Sequence, residues 1–274
     1  MLDFISYSFM QRAFLVGNMI ALIAPLIGVF LILKRLSLIG NTISHVALAG
    51  VALGMLLGVY PVYLAIAISI IAAFGIEKIR ESYQDYAEIS LSIILATGMG
   101  LATVIISIYE NSAGIMSYLF GSLSLVSVRD VYTVLSLGII IIAIILKYYY
   151  GFFYITFNEK EARLAGIPVK ILNIVFMVIV AVTISISMRI IGGLLIASLI
   201  SLPVATALQL AKSFKTMIIY SLISSLIAVN GGLVISFYQD LAPGGTIILT
   251  GVFCLLLVLI YNKGKDIIRL SGTE

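Results

Sequence analysis

Long runs without a charged side chain dominate the pattern of hydrophobic and polar positions in this chain. A helix needs about 20 apolar residues to cross the hydrocarbon core of a bilayer. Because the runs are continuously apolar and do not alternate, they predict helices rather than strands. About nine transmembrane helices are predicted, two of them within 36–76 on either side of a turn at 58–61, and the others at 13–33, 89–109, 131–149, 171–188, 190–211, 216–239 and 245–262.

The composition agrees with a multi-pass membrane protein. Hydrophobic residues make up 62% of the 274 residues, charged residues make up 10%, and the mean hydropathy is +1.23. So much apolar surface cannot be hidden inside one small core, which excludes both an ordinary soluble domain and a disordered chain. Residues 1–274 are therefore interpreted as a single transmembrane domain of the all-α class.

The basic residues indicate an orientation in the cell (inner or plasma) membrane. With nine helices and the N-terminus outside, 13 of the 16 Lys and Arg residues fall in cytoplasmic segments. Only Arg12, Arg129 and Arg189 fall on the outer side. This asymmetry predicts a cytoplasmic C-terminus, and it accounts for the net charge of +4 without a nucleic-acid partner.

Two further segments are not counted as transmembrane helices. Residues 1–11 mix apolar and polar side chains and predict a short helix in the membrane interface. A cleavable signal peptide is the alternative there, but the segment lacks a basic beginning and a clear cleavage site. Residues 111–128 are rich in Ser and Gly, and a tenth span there would break the alternation of charges. We interpret 111–128 as an extracytoplasmic or re-entrant element.

A polar stretch in the second half of the chain predicts a short cytoplasmic helix. Asn158 suits the N-cap, and Glu159 and Glu161 suit the positive end of the helix dipole in the first turn. Gly166 followed by Pro168 suits the end of the helix.

Polar side chains inside a bilayer are costly and are therefore candidates for function. His45, the only histidine, lies about one turn into the second predicted helix, and Asn41 precedes it on the same helix face. Imidazole nitrogen suits Zn²⁺ and amide oxygen suits harder ions such as Mn²⁺, so the two form half of a candidate divalent-metal site. The alternative is a structural histidine bonded to a neighbouring backbone carbonyl.

Several small and polar residues bear on how the helices pack. Gly50 and Gly54 belong to two consecutive GxxxG steps, which line either a dimer seam or pore, or a contact within the chain. Gly192, Gly193 and Pro203 interrupt the region around the helix predicted at 190–211, and such interruptions occur both in the broken helices of transporters and in ordinary membrane packing. Three further polar side chains of the predicted spans are interpreted as hydrogen-bond partners between helices rather than as substrate ligands: Asn173, Gln209 and Asn230.

Catalytic motifs are absent from the sequence. The single histidine excludes the HExxH metalloprotease motif, and the single cysteine, Cys254, excludes an intramolecular disulfide and a cysteine-built metal site. No GxxxxGK[ST] loop is present, so ATP is not bound by that route. We predict that the chain is not an enzyme and that any ATP hydrolysis comes from a separate chain. The alternative, a stand-alone secondary transporter or channel, needs relay acids within the spans, which hold almost none.

Five motifs in order resemble the ABC permeases for zinc and manganese, and together they cover nearly the whole chain. They are LSLIGNTISHVALAGVALG at 36–54, FGS at 120–122, NEKEARLAGIP at 158–168, GGLLIASLISLPVATA at 192–207 and DLAPGGT at 240–246. The resemblance implies a fold similar to the vitamin B12-importer permease lacking its first helix. It also implies a homodimer in lipid, with ABC ATPase subunits on the cytoplasmic side and an extracytoplasmic metal-binding protein.

The resemblance further implies roles for particular residues. The helix at about 158–167 would be the coupling helix that docks on the ATPase. Its coupling residues would be Asn158, Glu159, Glu161, Arg163 and Gly166.

His45 and Asn41 map onto the metal site of the pore. The family commonly carries Asp where this chain has Asn41, and a carboxylate binds a divalent cation better than a neutral amide. The site therefore needs its negative charge from another residue.

These observations together predict the membrane-spanning subunit of an importer for a divalent transition metal. The lone histidine and the zinc-like LSLIG context favour zinc, with manganese or iron next. The metal is the transported substrate, and the chain itself is expected to bind no cofactor.

Overall fold

The computed structural model describes residues 7–82, 87–108 and 112–271. Within them the backbone forms twelve α-helices: α1 (Ser8–Leu33), α2 (Leu38–Leu56), α3 (Pro61–Ser82), α4 (Ala87–Ile108), α5 (Ser112–Phe120), α6 (Val128–Lys147), α7 (Tyr149–Phe157), α8 (Glu159–Leu164), α9 (Val169–Ser187), α10 (Ile196–Leu208), α11 (Phe214–Gln239) and α12 (Pro243–Ser271). Eight of the described helices are long and apolar enough to cross a membrane, namely α1, α2, α3, α4, α6, α9, α11 and α12. The prediction of an all-α polytopic membrane protein is confirmed.

The helix predicted at 190–211 is shorter in the structure. α10 has 13 residues, which is about 20 Å at the rise of an α-helix, against a hydrocarbon core of about 30 Å. Residues 188–195 before it form turns, and Gly192 has a φ of +92°, a conformation that favours glycine. The seventh predicted span, 190–211, is therefore a broken element whose helical part, α10, is shorter than a bilayer core is thick.

The broken segment obtains backbone partners from α5. The amide of Gly193 donates to the carbonyl of Tyr118 at 2.7 Å. The next amide, that of Leu194, donates to the carbonyl of Leu119 at 3.3 Å. α5 itself has nine residues, about 14 Å, so it is too short to be a tenth membrane helix. The segment 188–195 and α5 thus provide each other with backbone hydrogen-bond partners, which lipid cannot supply.

Arg189, in the turn before α10, joins several segments at this end of the bundle. Its guanidinium donates to the carbonyl of Leu125 at 2.7 Å and to the hydroxyl of Tyr118, and it lies 3.8 Å from the carboxylate of Asp130. Asp130 in turn accepts a hydrogen bond from Tyr60, just before α3. We call this end of the bundle the Arg189 end.

An additional helix, α7, occupies residues for which the sequence analysis predicted no helix. The side chain of Phe152 is buried, with its ring centroid 5.9 Å from that of Phe30 in α1 and 5.7 Å from that of Phe176 in α9. Phe214, at the start of α11, lies 5.6 Å from Phe30 by the same measure. The packing of these rings holds α7 at the opposite end of the bundle from Arg189.

Gly50 and Gly54 pack α2 against α3 within the chain. A Cβ atom on Gly50 would lie 2.6 Å from the Cα of Ala65, and one on Gly54 would lie 2.7 Å from the Cα of Pro61. Of the two alternatives for these glycines, the structure shows the intramolecular contact. Pro203 lies buried inside α10.

Amide side chains link helices in the interior of the bundle. Asn230 of α11 and Asn18 of α1 exchange two hydrogen bonds, at 2.8 and 3.1 Å. At the surface, the side-chain amide of Asn262 in α12 donates to the backbone carbonyl of Gln209 at 2.8 Å.

The interfacial segment predicted at 1–11 lies partly outside the described residues, which begin at Tyr7. Residues 8–11 form the first turn of α1, so the described part of this segment is continuous with the first membrane helix.

We predict that Gly244→Ala destabilises the fold and that the neighbouring Gly245→Ala does not. A Cβ on Gly244 would lie 1.8 Å from the carbonyl oxygen of Ile191 and 2.7 Å from that of Phe120, whereas one on Gly245 meets no atom within 4 Å. Overpacking of this kind costs about 1–3 kcal/mol. Thermal unfolding of the purified protein in detergent measures the difference, and equal melting temperatures for the two variants would contradict the packing described here.

Candidate functional site

Asn41 and His45 lie on the part of α2 that the rest of the chain leaves uncovered. α2 is 72% buried over its membrane-spanning window. Asn41 is nevertheless exposed and His45 is half-buried, and Leu38, one turn earlier, is 54% exposed. The three positions follow one another at helical spacing, so they form a narrow strip that we call the His45 face.

The neighbouring polar side chains of α2 form hydrogen bonds within their own helix. Thr42 and Ser44 donate back to carbonyls of their own helix, at 3.1 and 2.8 Å. Among the described residues, neither the side chain of Asn41 nor that of His45 has a hydrogen-bond partner. The structural alternative for His45, a bond to a neighbouring carbonyl, is therefore not formed within the described chain.

The His45 face offers few metal ligands by itself. Across the part of the chain that the structure describes, no three His, Cys, Asp or Glu side chains lie close enough together to hold a metal ion. His45 supplies one imidazole and Asn41 one amide oxygen, whereas a protein site that holds zinc firmly uses three or four ligands. The arrangement suits brief contact with a passing ion rather than storage.

A second polar surface, on α4, was missed by the sequence analysis. α4 is only 17% buried, and Gly98 packs it against Val46 of α2, where a Cβ would lie 3.0 Å from the Val46 nitrogen. The opposite face of α4 carries small and hydroxyl side chains at spacings of four, four, three and four residues. These exposed residues, which we call the α4 stripe, are Ser92, Ala96, Gly100, Thr103 and Ser107. The three- and four-residue spacing of these small and hydroxyl side chains can be read from the sequence and could have identified this surface.

The short helix predicted from its capping residues is present as α8. Asn158 is its N-cap, and its side chain accepts from the backbone amides of Lys160 and Glu161 at 3.1 and 3.2 Å. Gly166, after the end of the helix, has a φ of +79°. The predicted N-cap and the glycine after the helix are thus present, around a helix of six residues that is shorter than the predicted 158–167.

The residues of α8 divide into an inner and an outer set. Ala162 is buried against the bundle, whereas Glu161 and Arg163 are exposed. Leu164 is 88% exposed, on the side of the helix opposite to Ala162. Leu164 was not among the residues predicted from the sequence, although an apolar side chain in a polar stretch indicates a contact surface.

Glu159 belongs to the inner set, in contrast to Glu161. Its Oε1 atom lies 3.1 Å from Nζ of Lys34, at the end of α1, and 3.4 Å from the guanidinium of Arg80, in the last turn of α3. It also accepts from Nδ2 of Asn173, in α9, at 3.2 Å. Lys34 completes a ring by donating to Oδ1 of Asn173 at 2.7 Å. We call these four residues the Glu159 cluster, and the end of the bundle that holds it the Glu159 end.

Burial and charge act in opposite directions on the Glu159 cluster. Burial alone would raise the pKa of Glu159, but the charge and hydrogen bond of Lys34, followed by Arg80 and Asn173, bring that pKa below its ordinary value. Burial lowers the pKa of Lys34, against the opposing effect of Glu159. Since the folded state lowers the pKa of Glu159, its stabilising contribution is present above the ordinary carboxyl pKa and is lost as the pH falls through the lowered one.

Comparison with known proteins gives a consistent family relationship. The model of the ABC 3 transport family matches residues 6–262. A probable metal transport system membrane protein of Treponema pallidum (strain Nichols) is 35% identical over 255 residues, which cover 93% of this chain and 96% of that protein.

Other relatives are named for different metals. The high-affinity zinc uptake system membrane protein ZnuB of Haemophilus influenzae is 31% identical, with 90% of this chain and 95% of that protein covered. The manganese import system permease protein ScaB of Streptococcus gordonii is 28% identical, with 92% and 90% covered. The relatives therefore leave the choice of metal open.

A solved structure has the same arrangement of helices. In PsaBC from Streptococcus pneumoniae in complex with Fab, one chain matches with a TM-score of 0.84 and 28% sequence identity. The match covers 94% of this chain and 93% of that chain.

Proposed function

The chain belongs to the ABC 3 transport family, and from that premise we propose that it is the membrane-spanning subunit of an ATP-driven importer for a divalent transition metal. Zinc is the preferred substrate, with manganese or iron next. The observation that carries this proposal is the family match over residues 6–262 of a chain with eight candidate membrane helices. ATP hydrolysis would come from separate ATPase subunits.

We assign the Glu159 end to the cytoplasm and the Arg189 end to the outer side of the cell membrane. Lys34 and Arg80 lie in the cluster at the first end, and the sequence places 13 of the 16 basic residues in segments on that side. An excess of Lys and Arg marks cytoplasmic segments. The N-terminus is then outside and the C-terminus inside.

The His45 face is proposed as a transient contact point for the metal. Imidazole suits Zn²⁺, and the neutral amide of Asn41 holds an ion less firmly than a carboxylate does. Weak binding favours transport, since an ion must be able to leave each site that it enters. Water or a second copy of the chain would complete the coordination of the ion.

The α4 stripe supports a homodimer. Small residues at helical spacing let two membrane helices approach closely, and nothing in the described chain covers this face of α4. Two copies would also provide two His45 faces, one from each protomer, around a shared path.

α8 is proposed as the coupling helix that docks on the ATPase. Glu161, Arg163 and Leu164 are exposed at the Glu159 end, where an ATPase on the cytoplasmic side would bind. An extracytoplasmic metal-binding protein would deliver the metal at the Arg189 end.

The first prediction from the proposed function concerns the metal. In vesicles containing this chain, its ATPase and its binding protein, we expect ATP hydrolysis to be stimulated by Zn²⁺ more than by Mn²⁺ or Fe²⁺. His45→Ala should reduce metal uptake at least about tenfold, the loss that removing even an indirect partner of a metal ligand typically causes. Thr97→Ala, which removes an exposed hydroxyl of α4, is the matched control and should behave as wild type.

The outcomes separate the two parts of this proposal. Full uptake by His45→Ala would contradict the role of the His45 face. An assembled complex that responds to none of the three metals would contradict the proposed substrate class.

The second prediction concerns docking of the ATPase. Leu164→Asp should weaken co-purification of the ATPase by roughly 30-fold in affinity, corresponding to the loss of about 2 kcal/mol at a buried apolar contact. Leu241→Asp is the control, because Leu241 is also exposed but lies near the Arg189 end. Equal binding of the ATPase to both variants would show that Leu164 is not part of the interface.

A further inference from the structure

Glu159 contacts the ends of three helices at once. The ammonium of Lys34, the guanidinium of Arg80 and the side-chain amide of Asn173 all lie within 3.4 Å of one carboxylate oxygen of Glu159. These side chains come from the end of α1, the last turn of α3 and the first turns of α9. Glu159 is therefore the point where α8 is joined by polar contacts to three membrane helices.

The partners of Glu159 are withdrawn from solvent. The side chains of Lys34 and Arg80 are 6% and 17% exposed, and that of Glu159 is 38% exposed. Asn173 is 5% exposed. In such surroundings a charge pair is screened far less by water and salt than a pair on the surface. The contact is thus directional and resists displacement of α8 relative to the three helices.

α8 has little else to fix its position. A helix of six residues is not stable by itself, so its placement depends on tertiary contacts. Ala162 is the one buried apolar side chain of α8. Its small methyl group provides contact but no directional restraint. The other acid of the helix, Glu161, is exposed and forms no described ion pair.

We infer that Glu159 is the positioning residue that transmits movement of α8 to the membrane helices, with Lys34 as its main partner. This inference rests on the proposed function, in which α8 is moved by the ATPase. Glu161, Arg163 and Leu164 then receive the movement from the ATPase. Glu159, Lys34, Arg80 and Asn173 pass it to α1, α3 and α9.

The test uses the full complex in vesicles and measures the number of metal ions taken up per ATP hydrolysed. Glu159→Gln keeps the size and hydrogen-bonding capacity of the side chain but removes its charge. We expect this variant to retain its ATPase and to hydrolyse ATP, while metal uptake per ATP falls about fivefold or more. Glu88→Gln is the control, with the same change at an exposed acid in the first turn of α4 that the inference does not involve, and should keep the wild-type ratio.

A double variant separates transmission from simple stability. Glu159→Gln leaves the buried ammonium of Lys34 without its anion, which by itself destabilises a protein. Lys34→Met combined with Glu159→Gln removes both charges and should restore the melting temperature, while the uptake per ATP stays low. Recovery of the uptake ratio together with the melting temperature would overturn the inference in favour of a merely structural role.

The result for the wild type distinguishes the two proposals. A wild-type complex without metal-dependent uptake would contradict the proposed function. Normal uptake by the wild type, with the same ratio in Glu159→Gln as in Glu88→Gln, would contradict the role of Glu159 and leave the proposed function intact.

Discussion

A backbone amide inside a membrane must find its partner within the protein, because lipid offers none. Continuous helices meet this requirement locally, and eight of the described helices do so over a length that can cross a bilayer. The turns at 188–195 cannot provide partners for all of their own backbone amides. The amides of Gly193 and Leu194 donate to carbonyls of α5, so the interruption before α10 and the short helix α5 depend on each other.

The same constraint explains why glycine is needed at the Arg189 end. Backbone segments that satisfy each other must approach closely, and the positions of Gly121, Gly192 and Gly244 leave no room for a Cβ atom. Arg189 then adds side-chain donors to the carbonyl of Leu125, and the carboxylate of Asp130 lies nearby. This end is therefore built from tightly fitted backbone and a few polar side chains.

The Glu159 end is organised by charge rather than by close backbone contact. There a carboxylate, an ammonium, a guanidinium and an amide meet at the junction of α1, α3, α8 and α9. A short helix with exposed Glu161, Arg163 and Leu164 projects from this junction. The two ends thus differ in physical character, and the His45 face lies on the membrane helix α2, which begins at the Glu159 end.

The sequence by itself determined most of the membrane helices, since a run of apolar residues can satisfy its backbone in lipid only as a helix. It also determined α8, whose Asn158 cap and Gly166 end act within a few residues, and the shared face of Asn41 and His45, which follows from helical spacing. Gly192 and Gly193 indicated an interruption before α10, but tertiary structure decided the form of the break, because the partners of that segment lie in α5, 75 residues earlier in the chain. It also decided α7, which depends on aromatic rings from α1, α9 and α11. Finally, tertiary structure distinguished Glu159 from Glu161, two acids that are alike in sequence. Glu159 contacts Lys34, Arg80 and Asn173 from distant helices, whereas Glu161 stays exposed. The physical reason is that a carboxylate is withdrawn from water only where opposite charge compensates it.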